Sequence, residues 1–208
     1  MDTKLTGKTR IESDLIGARE IPAEALYGVQ TLRGIENFSI SKFRLSEYPL
    51  FIKGLAITKM AAAMANFELG LLTVEQKDAI IAACGEIIDG KHHDQFPVDM
   101  IQGGAGTTTN MNANEVIANR ALELMGHERG EYQYCSPNDH VNCSQSTNDA
   151  YPTAIHVGMY FKHLQLLPHL EELIASFRKK GEEFSQIIKM GRTQLEDAVP
   201  MTLGQTFN

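Results

Sequence analysis

Gln145-Ser-Thr-Asn-Asp-Ala-Tyr-Pro-Thr153 runs directly into one long apolar pattern, Ile155, Met159, Leu166, Leu170, Leu173, Phe177, Phe184 and Ile188. The spacing is that of a helix, and it predicts a single helical segment over 153–189. At 1.5 Å per residue this segment would be roughly 55 Å long, far beyond an average globular helix. Pro168 should kink or break it. Proline suits a first helical turn, so Pro152 marks the start and Ser146 to Asn148 fall in or beside the N-cap region, at the positive end of the helix dipole. A helix this long needs neighbours along its whole length, and this chain offers few. We therefore expect a helical bundle completed by further residues, by other subunits, or by both.

Working back from that helix, Asn114 to Met125 reads as a helix stopped by Gly126. Thr73, with Gln76 three residues on, forms a capping box that opens a helix ending at Gly90. Pro49 opens another helix that Gly70 ends, and its Ala-rich centre suggests close helix packing. Thr9 to Gly17 followed by Arg19 to Pro22 reads as a small hairpin turning near Gly17. The expected fold class is mainly α. A helical N-terminal domain with a small β-hairpin, residues 1–144, is followed by the first long helix of a central bundle, residues 145–208.

Of the 208 residues 43% are apolar and 22% charged, the composition of an ordinary globular protein. The formal charge of -7 argues against a nucleic-acid partner, which calls for a basic surface. Residues 1–20 show no secretory pattern, and no run of roughly 18 apolar residues suggests a membrane span. The cysteines, Cys84, Cys135 and Cys143, are sparse, which fits a reduced, cytoplasmic setting. Cys135, Asp139, His140 and Cys143 match no usual zinc spacing. No metal or cofactor is expected from the residues.

Three clusters rich in hydroxyls and amides carry the chemistry. The first is Gln102-Gly-Gly-Ala-Gly-Thr-Thr-Thr-Asn-Met-Asn-Ala-Asn-Glu115, the second Gln145 to Thr153, the third Lys189-Met-Gly-Arg-Thr-Gln-Leu-Glu-Asp-Ala-Val-Pro-Met-Thr-Leu-Gly-Gln205. Glycines let a ligand approach backbone N–H groups, and Thr107 to Thr109 add hydroxyls just before a helix, where an anion is favoured. The first cluster lacks the third glycine of a dinucleotide fingerprint and the Gly-Lys-Ser/Thr of a phosphate loop. The third cluster places Arg192, Thr193 and Gln194 at the far end of the long helix. Each cluster alone would serve equally as a helix cap or a turn. Together they suit a small, multiply charged anion. The two ends of so long a helix cannot serve one pocket within a subunit, so joint action of the second and third clusters calls for an oligomer with shared sites.

These segments, together with Gly130-Glu-Tyr-Gln-Tyr134 and Pro137-Asn-Asp-His-Val-Asn142, resemble in order and spacing the first half of the aspartase/fumarase superfamily of lyases, from about Ile11 onward. Ser146-Thr147, Tyr151 and Gln194 favour the aspartase branch; fumarases usually carry a serine pair, Phe and His at these places. The resemblance implies a homotetrameric enzyme that reversibly deaminates L-aspartate to fumarate and ammonia through an enediolate. By resemblance, Thr107, Ser146 and Thr147 hold the carboxylate that gains charge, Asn148 and Gln194 lie near the amino group, and Thr193 lies near the other carboxylate. The family's general base is a serine in a Gly-Ser-Ser-x-Met-Pro-x-Lys-x-Asn motif, expected beyond Asn208. No catalytic residue is therefore expected within this chain, which reads as a piece of a longer protein and as inactive alone. His127, His140 and His156 are nearer candidates, read as surface or packing histidines. Some family members are activated by divalent metal. The alternatives are a class II fumarase and a non-catalytic helical assembly module.

Overall fold

The computed structural model describes residues 7–208. Its α-carbon contacts divide the chain into two compact units, one through Met159 and one from Tyr160 to Asn208.

The first unit begins with the expected hairpin. Strands β1 (Thr9–Asp14) and β2 (Gly17–Pro22) pair antiparallel, with Asp14 opposite Gly17 across the turn. Asp14 caps this turn by accepting from the Ile16 and Gly17 amides. Helix α1 (Val29–Asn37) follows, then α2 (Pro49–Glu68), α3 (Val74–Ile88) and α4 (Thr107–Leu124). Pro49 opens α2 as expected, and the Thr73–Gln76 capping box opens α3, with the Thr73 hydroxyl accepting from the Gln76 amide at 3.2 Å. The core lies where α2, α3 and α4 pack together. Ile52, Leu55, Ile80, Ile87, Ile117 and Leu122 are all buried there. Helix α2 is long and apolar enough to cross a membrane by composition alone. Its apolar residues instead supply this core.

Helix α4 is buried on nearly every side, which its polar sequence did not announce. Its asparagines work as ties. Asn119 donates to the Leu26 carbonyl at 2.8 Å and accepts from the Gly130 amide at 2.8 Å, and Asn112 donates to the Gln95 carbonyl at 3.0 Å. A buried polar group costs stability unless it is paired, so the loops these asparagines hold are specified by the helix. The Arg120 guanidinium, on the same helix, bonds Glu86 of α3 at 2.6 and 2.9 Å. It holds the Glu86 carboxyl down at about 2. The contribution of this pair is complete above the ordinary carboxylate value of 4.5 and is lost as pH falls towards about 2. Because solvent screens the pair, we expect on the order of 1 kcal/mol. Urea midpoints taken between pH 5 and pH 2 should fall more steeply for the unmodified chain than for Glu86→Gln; parallel curves would disprove the assignment.

Helix α5 (Thr147–Glu183) is the long helix, 37 residues without interruption. Its limits differ from the expected 153–189. Ser146 caps it, and Pro152 therefore lies in the second turn rather than the first. Pro168 does not break it. The proline leaves the Leu164 carbonyl without its i+4 donor, but both residues are exposed, so water can satisfy the group. Within the first unit α5 crosses α2 at two glycines. A Cβ on Gly54 would overlap the Ala154 carbonyl oxygen, and one on Gly158 would sit 2.9 Å from the Leu50 carbonyl oxygen. Backbone cannot yield as a side-chain tip can. Gly54→Ala should therefore cost about 1–3 kcal/mol by overpacking, despite alanine's better helix propensity. Thermal unfolding checks this, and an unchanged or raised Tm would contradict it.

In the second unit the stretch expected to be a polar helix end is a hairpin. Strands β3 (Ile188–Thr193) and β4 (Glu196–Thr202) pair with Thr193 opposite Glu196. Gln194 and Leu195 form the two-residue turn, both with positive φ, 48° and 69°. That is the geometry of the hairpin turns whose twist matches paired strands. It normally selects Asn-Gly, which explains why this sequence concealed it.

Candidate active site

The glycine-rich loop ends at Gly106, whose φ of 88° is left-handed and which precedes the first residue of α4. A Cβ here would land in the Tyr151 ring, so only glycine lets α4 start against α5. Thr107, Thr108 and Thr109 therefore form the first turn of α4 rather than the approach to it. Gln102 closes the loop onto that turn: its side-chain amide donates to Thr109 Oγ1 at 2.6 Å and its oxygen accepts from the Thr109 amide at 2.9 Å. Thr107 itself is exposed.

The second cluster starts α5. Ser146 Oγ accepts from the Asn148 amide at 3.2 Å, a helix N-cap. Thr147 is half-buried, and its Oγ1 accepts from Asn110 Nδ2 of α4 at 3.2 Å. That bond uses a lone pair on the Thr147 oxygen, so the hydroxyl hydrogen is not committed to Asn110. A cleft of about 580 Å³ separates the two clusters. Gly104, Ala105 and Gly106 of the first cluster and Asn148, Tyr151 and Pro152 of the second line it, together with Met100, Ile101 and Gln102 at the start of the glycine loop. No charged side chain lines it. The Tyr151 ring is held by an edge contact to Phe51, centroids 5.6 Å apart. Ser146 lines a separate, smaller depression with Thr58, Asp149 and Thr153.

Of the expected substrate-binding residues Asn148 alone lines this cleft; Thr107, Ser146 and Thr147 are not among its lining residues, and the first and second clusters meet through the cleft and the Asn110–Thr147 bond. Thr193 and Gln194 belong to the second unit, exposed at its hairpin turn, and are not among the residues lining the cleft. His127, His140 and His156 are not among the residues lining the cleft. His127 stacks on Tyr134 with ring centroids 3.7 Å apart, and His140 Nδ1 accepts from the Ser136 amide at 2.7 Å. His156 is exposed on α5. Burial pushes the Cys135 thiol up to about 12, which suits a packed thiol and not a metal-ligating thiolate. Among the described residues no group of His, Cys, Asp and Glu is placed to hold a metal.

Lys59 escaped the sequence reading. It is fully buried in α2, where Nζ donates to Asn142 Oδ1 and Gln145 Oε1, each at 2.9 Å. The signal available was a charge within a mainly apolar stretch, Thr58-Lys-Met-Ala-Ala-Ala63.

The lyase family profile matches residues 17–208. The chain belongs to that lyase family. Aspartate ammonia-lyase from Pseudomonas canavaninivorans is 61% identical to this chain over 198 residues, 95% of the chain and 42% of that protein. Aspartate ammonia-lyase from Escherichia coli K12 is 57% identical over 204 residues, 98% of the chain and 43% of that protein. Among solved structures, fumarate lyase:delta crystallin from Brucella melitensis superposes with a TM-score of 0.91 at 55% identity, over 96% of this chain and 44% of that one. Class II fumarase from Schistosoma mansoni gives 0.87 at 39% identity, over 96% and 42%. The chain spans about two-fifths of the length of the curated relatives it matches.

Proposed function

We propose that the protein at full length reversibly deaminates L-aspartate to fumarate and ammonia through an enediolate. The observation that carries this reading is an uncharged cleft bounded by the starts of two helices, α4 and α5. Helix N-termini favour anions, and hydroxyls and amides can serve both an ammonium and a carboxylate. In the proposed reaction Thr107, Ser146 and Thr147 hold the carboxylate that gains charge as the adjacent carbon loses its proton. Preorganised donors of this kind are the main source of rate. Asn148 and Gln194 serve the amino group and Thr193 the other carboxylate. Thr193 and Gln194 would reach the substrate from other subunits of a homotetramer. The general base is assigned to none of the described residues, and the isolated 208-residue chain is proposed to be inactive.

Class II fumarase activity is the second reading, favoured by the likeness to the Schistosoma mansoni enzyme. Thr147 after Ser146 and Tyr151 favour aspartate. Steady-state rates of the full-length protein with aspartate and with malate separate the two. Hydration of fumarate without amination would sink the aspartate reading, and turnover by the 208-residue chain alone would sink the proposed inactivity.

A further inference from the structure

We propose that Lys59 is a positioning residue for this site: through Asn142 and Gln145 its ammonium holds the turn that presents Ser146, Thr147 and Asn148, and it couples its own protonation to the binding of a dianion. The inference rests on the aspartate reading and names a residue outside the cleft.

The geometry is a relay of neutral groups around one buried cation. Asn142 Oδ1 accepts from Lys59 at 2.9 Å and from Asn110 Nδ2 at 3.1 Å, and the same Asn110 nitrogen holds Thr147 Oγ1. Asn142 Nδ2 donates to the Gln145 carbonyl at 3.2 Å. Gln145, its oxygen taken by Lys59, donates to the Val141 carbonyl at 2.8 Å and the Cys143 carbonyl at 3.1 Å. The turn so held includes Ser144, whose φ of 56° is unusual for a residue other than glycine. Bonds from an ammonium are roughly twice as strong as those from a neutral amine, so the turn is held most firmly when Lys59 is charged.

That charge has no local counterion. Among the described residues no carboxylate forms an ion pair with Lys59. The titratable neighbour on α3 is Cys84, whose thiol burial pushes up to about 12 and so keeps neutral. Asn110 of α4 and Asn142 and Gln145 of the turn carry no charge. Asp149 of α5 shares a depression with Gln145 and Ser146 but is exposed to solvent. Burial lowers the Lys59 ammonium to about 7. A dicarboxylate arriving above this turn supplies the missing negative charge and favours protonation. By reciprocity, protonation then tightens the hold on the dicarboxylate.

The experiment uses the full-length protein and succinate, an unreactive dicarboxylate. Titration calorimetry at pH 7.5 in buffers of different ionisation enthalpy should show uptake of a fraction of a proton on binding. Lys59→Met should abolish that uptake and raise the KM for aspartate at least tenfold with a smaller change in kcat. It should also remove the fall in kcat/KM expected above about pH 7, while unfolding stays cooperative. A residue with only a packing role would alter stability and leave the pH limb in place. Wild-type binding without proton uptake, or equal uptake by Lys59→Met, overturns the inference even if the variant folds poorly. A wild-type protein that turns over aspartate but takes up no proton fails this inference alone. One that neither turns over aspartate nor binds succinate fails the functional reading and this inference with it.

Discussion

Thr147→Val in the full-length protein should lower kcat/KM for aspartate about 10²–10³-fold, the cost of one lost oxyanion donor, about 2.7–4 kcal/mol. The substitution keeps the shape and deletes the hydroxyl. Thr147 Oγ1 accepts from Asn110 Nδ2, so its hydrogen is not spent within the protein along that bond. In the proposed site that hydrogen is available for donation to the carboxylate as charge develops. Stability should change little, because Asn110 also donates to Asn142 Oδ1 and keeps a partner. Thr147→Ser, which retains the hydroxyl, should recover most of the activity. Steady-state kinetics on the three proteins, with circular dichroism melting as a control, decides it. A valine variant within fivefold of the parent would remove Thr147 from the mechanism. Ser146 is a less clean probe, since it also caps α5 through the Asn148 amide.

The largest stability effect is expected at Glu115. This carboxylate sits on α4, 1% exposed, and accepts from the amides of Gly28 and Gln30 at 2.8 Å and Thr31 at 3.0 Å. It thereby closes the N-terminus of α1, where orphan N–H groups and the positive dipole end favour an anion. The neighbouring Val29 amide goes to Glu12 Oε2 at 3.0 Å, which also accepts from the Tyr132 hydroxyl at 2.9 Å. Burial raises the Glu115 carboxyl, against the pull of these bonds. Glu115→Ala leaves these amides unpaired in the interior and opens a void. We expect a loss of about 3–5 kcal/mol, since each buried donor left unpaired costs about 1–3 kcal/mol. Glu115→Gln keeps one acceptor and should lose less. Equilibrium urea unfolding measures both, and a loss below about 1 kcal/mol for the alanine variant would contradict the role given to Glu115.

Lys59 and Glu115 share a logic that bears on how the sequence could be read. Each is an ionisable group in a mainly apolar setting, and each fastens a distant segment: Lys59 the turn before α5, Glu115 the start of α1. Their partners lie more than 80 residues away in the chain. Local periodicity marks such residues as exceptions but cannot say what they meet. The clusters themselves were readable, because donors crowded beside glycine or proline at a helix start make a local pattern. The joining of the first and second clusters into one cleft was not, since it depends on how closely α4 approaches α5 at Gly106 and Tyr151.

The helical class, the N-terminal hairpin, the capping box of α3, the single long helix and the segments rich in hydrogen-bond donors were legible in the residues alone. All of these follow from spacing and from residues whose backbone preferences act over a few positions. Packing decided that α5 runs unbroken past Pro168, that residues 188–202 pair as a hairpin, that the asparagines of α4 are buried ties, and that a buried lysine holds the turn just before Ser146. Each of these turns on what a group meets across space: solvent for an orphan carbonyl, a partner strand for Gln194 and Leu195, distant carbonyls for an amide, uncharged oxygens for an ammonium.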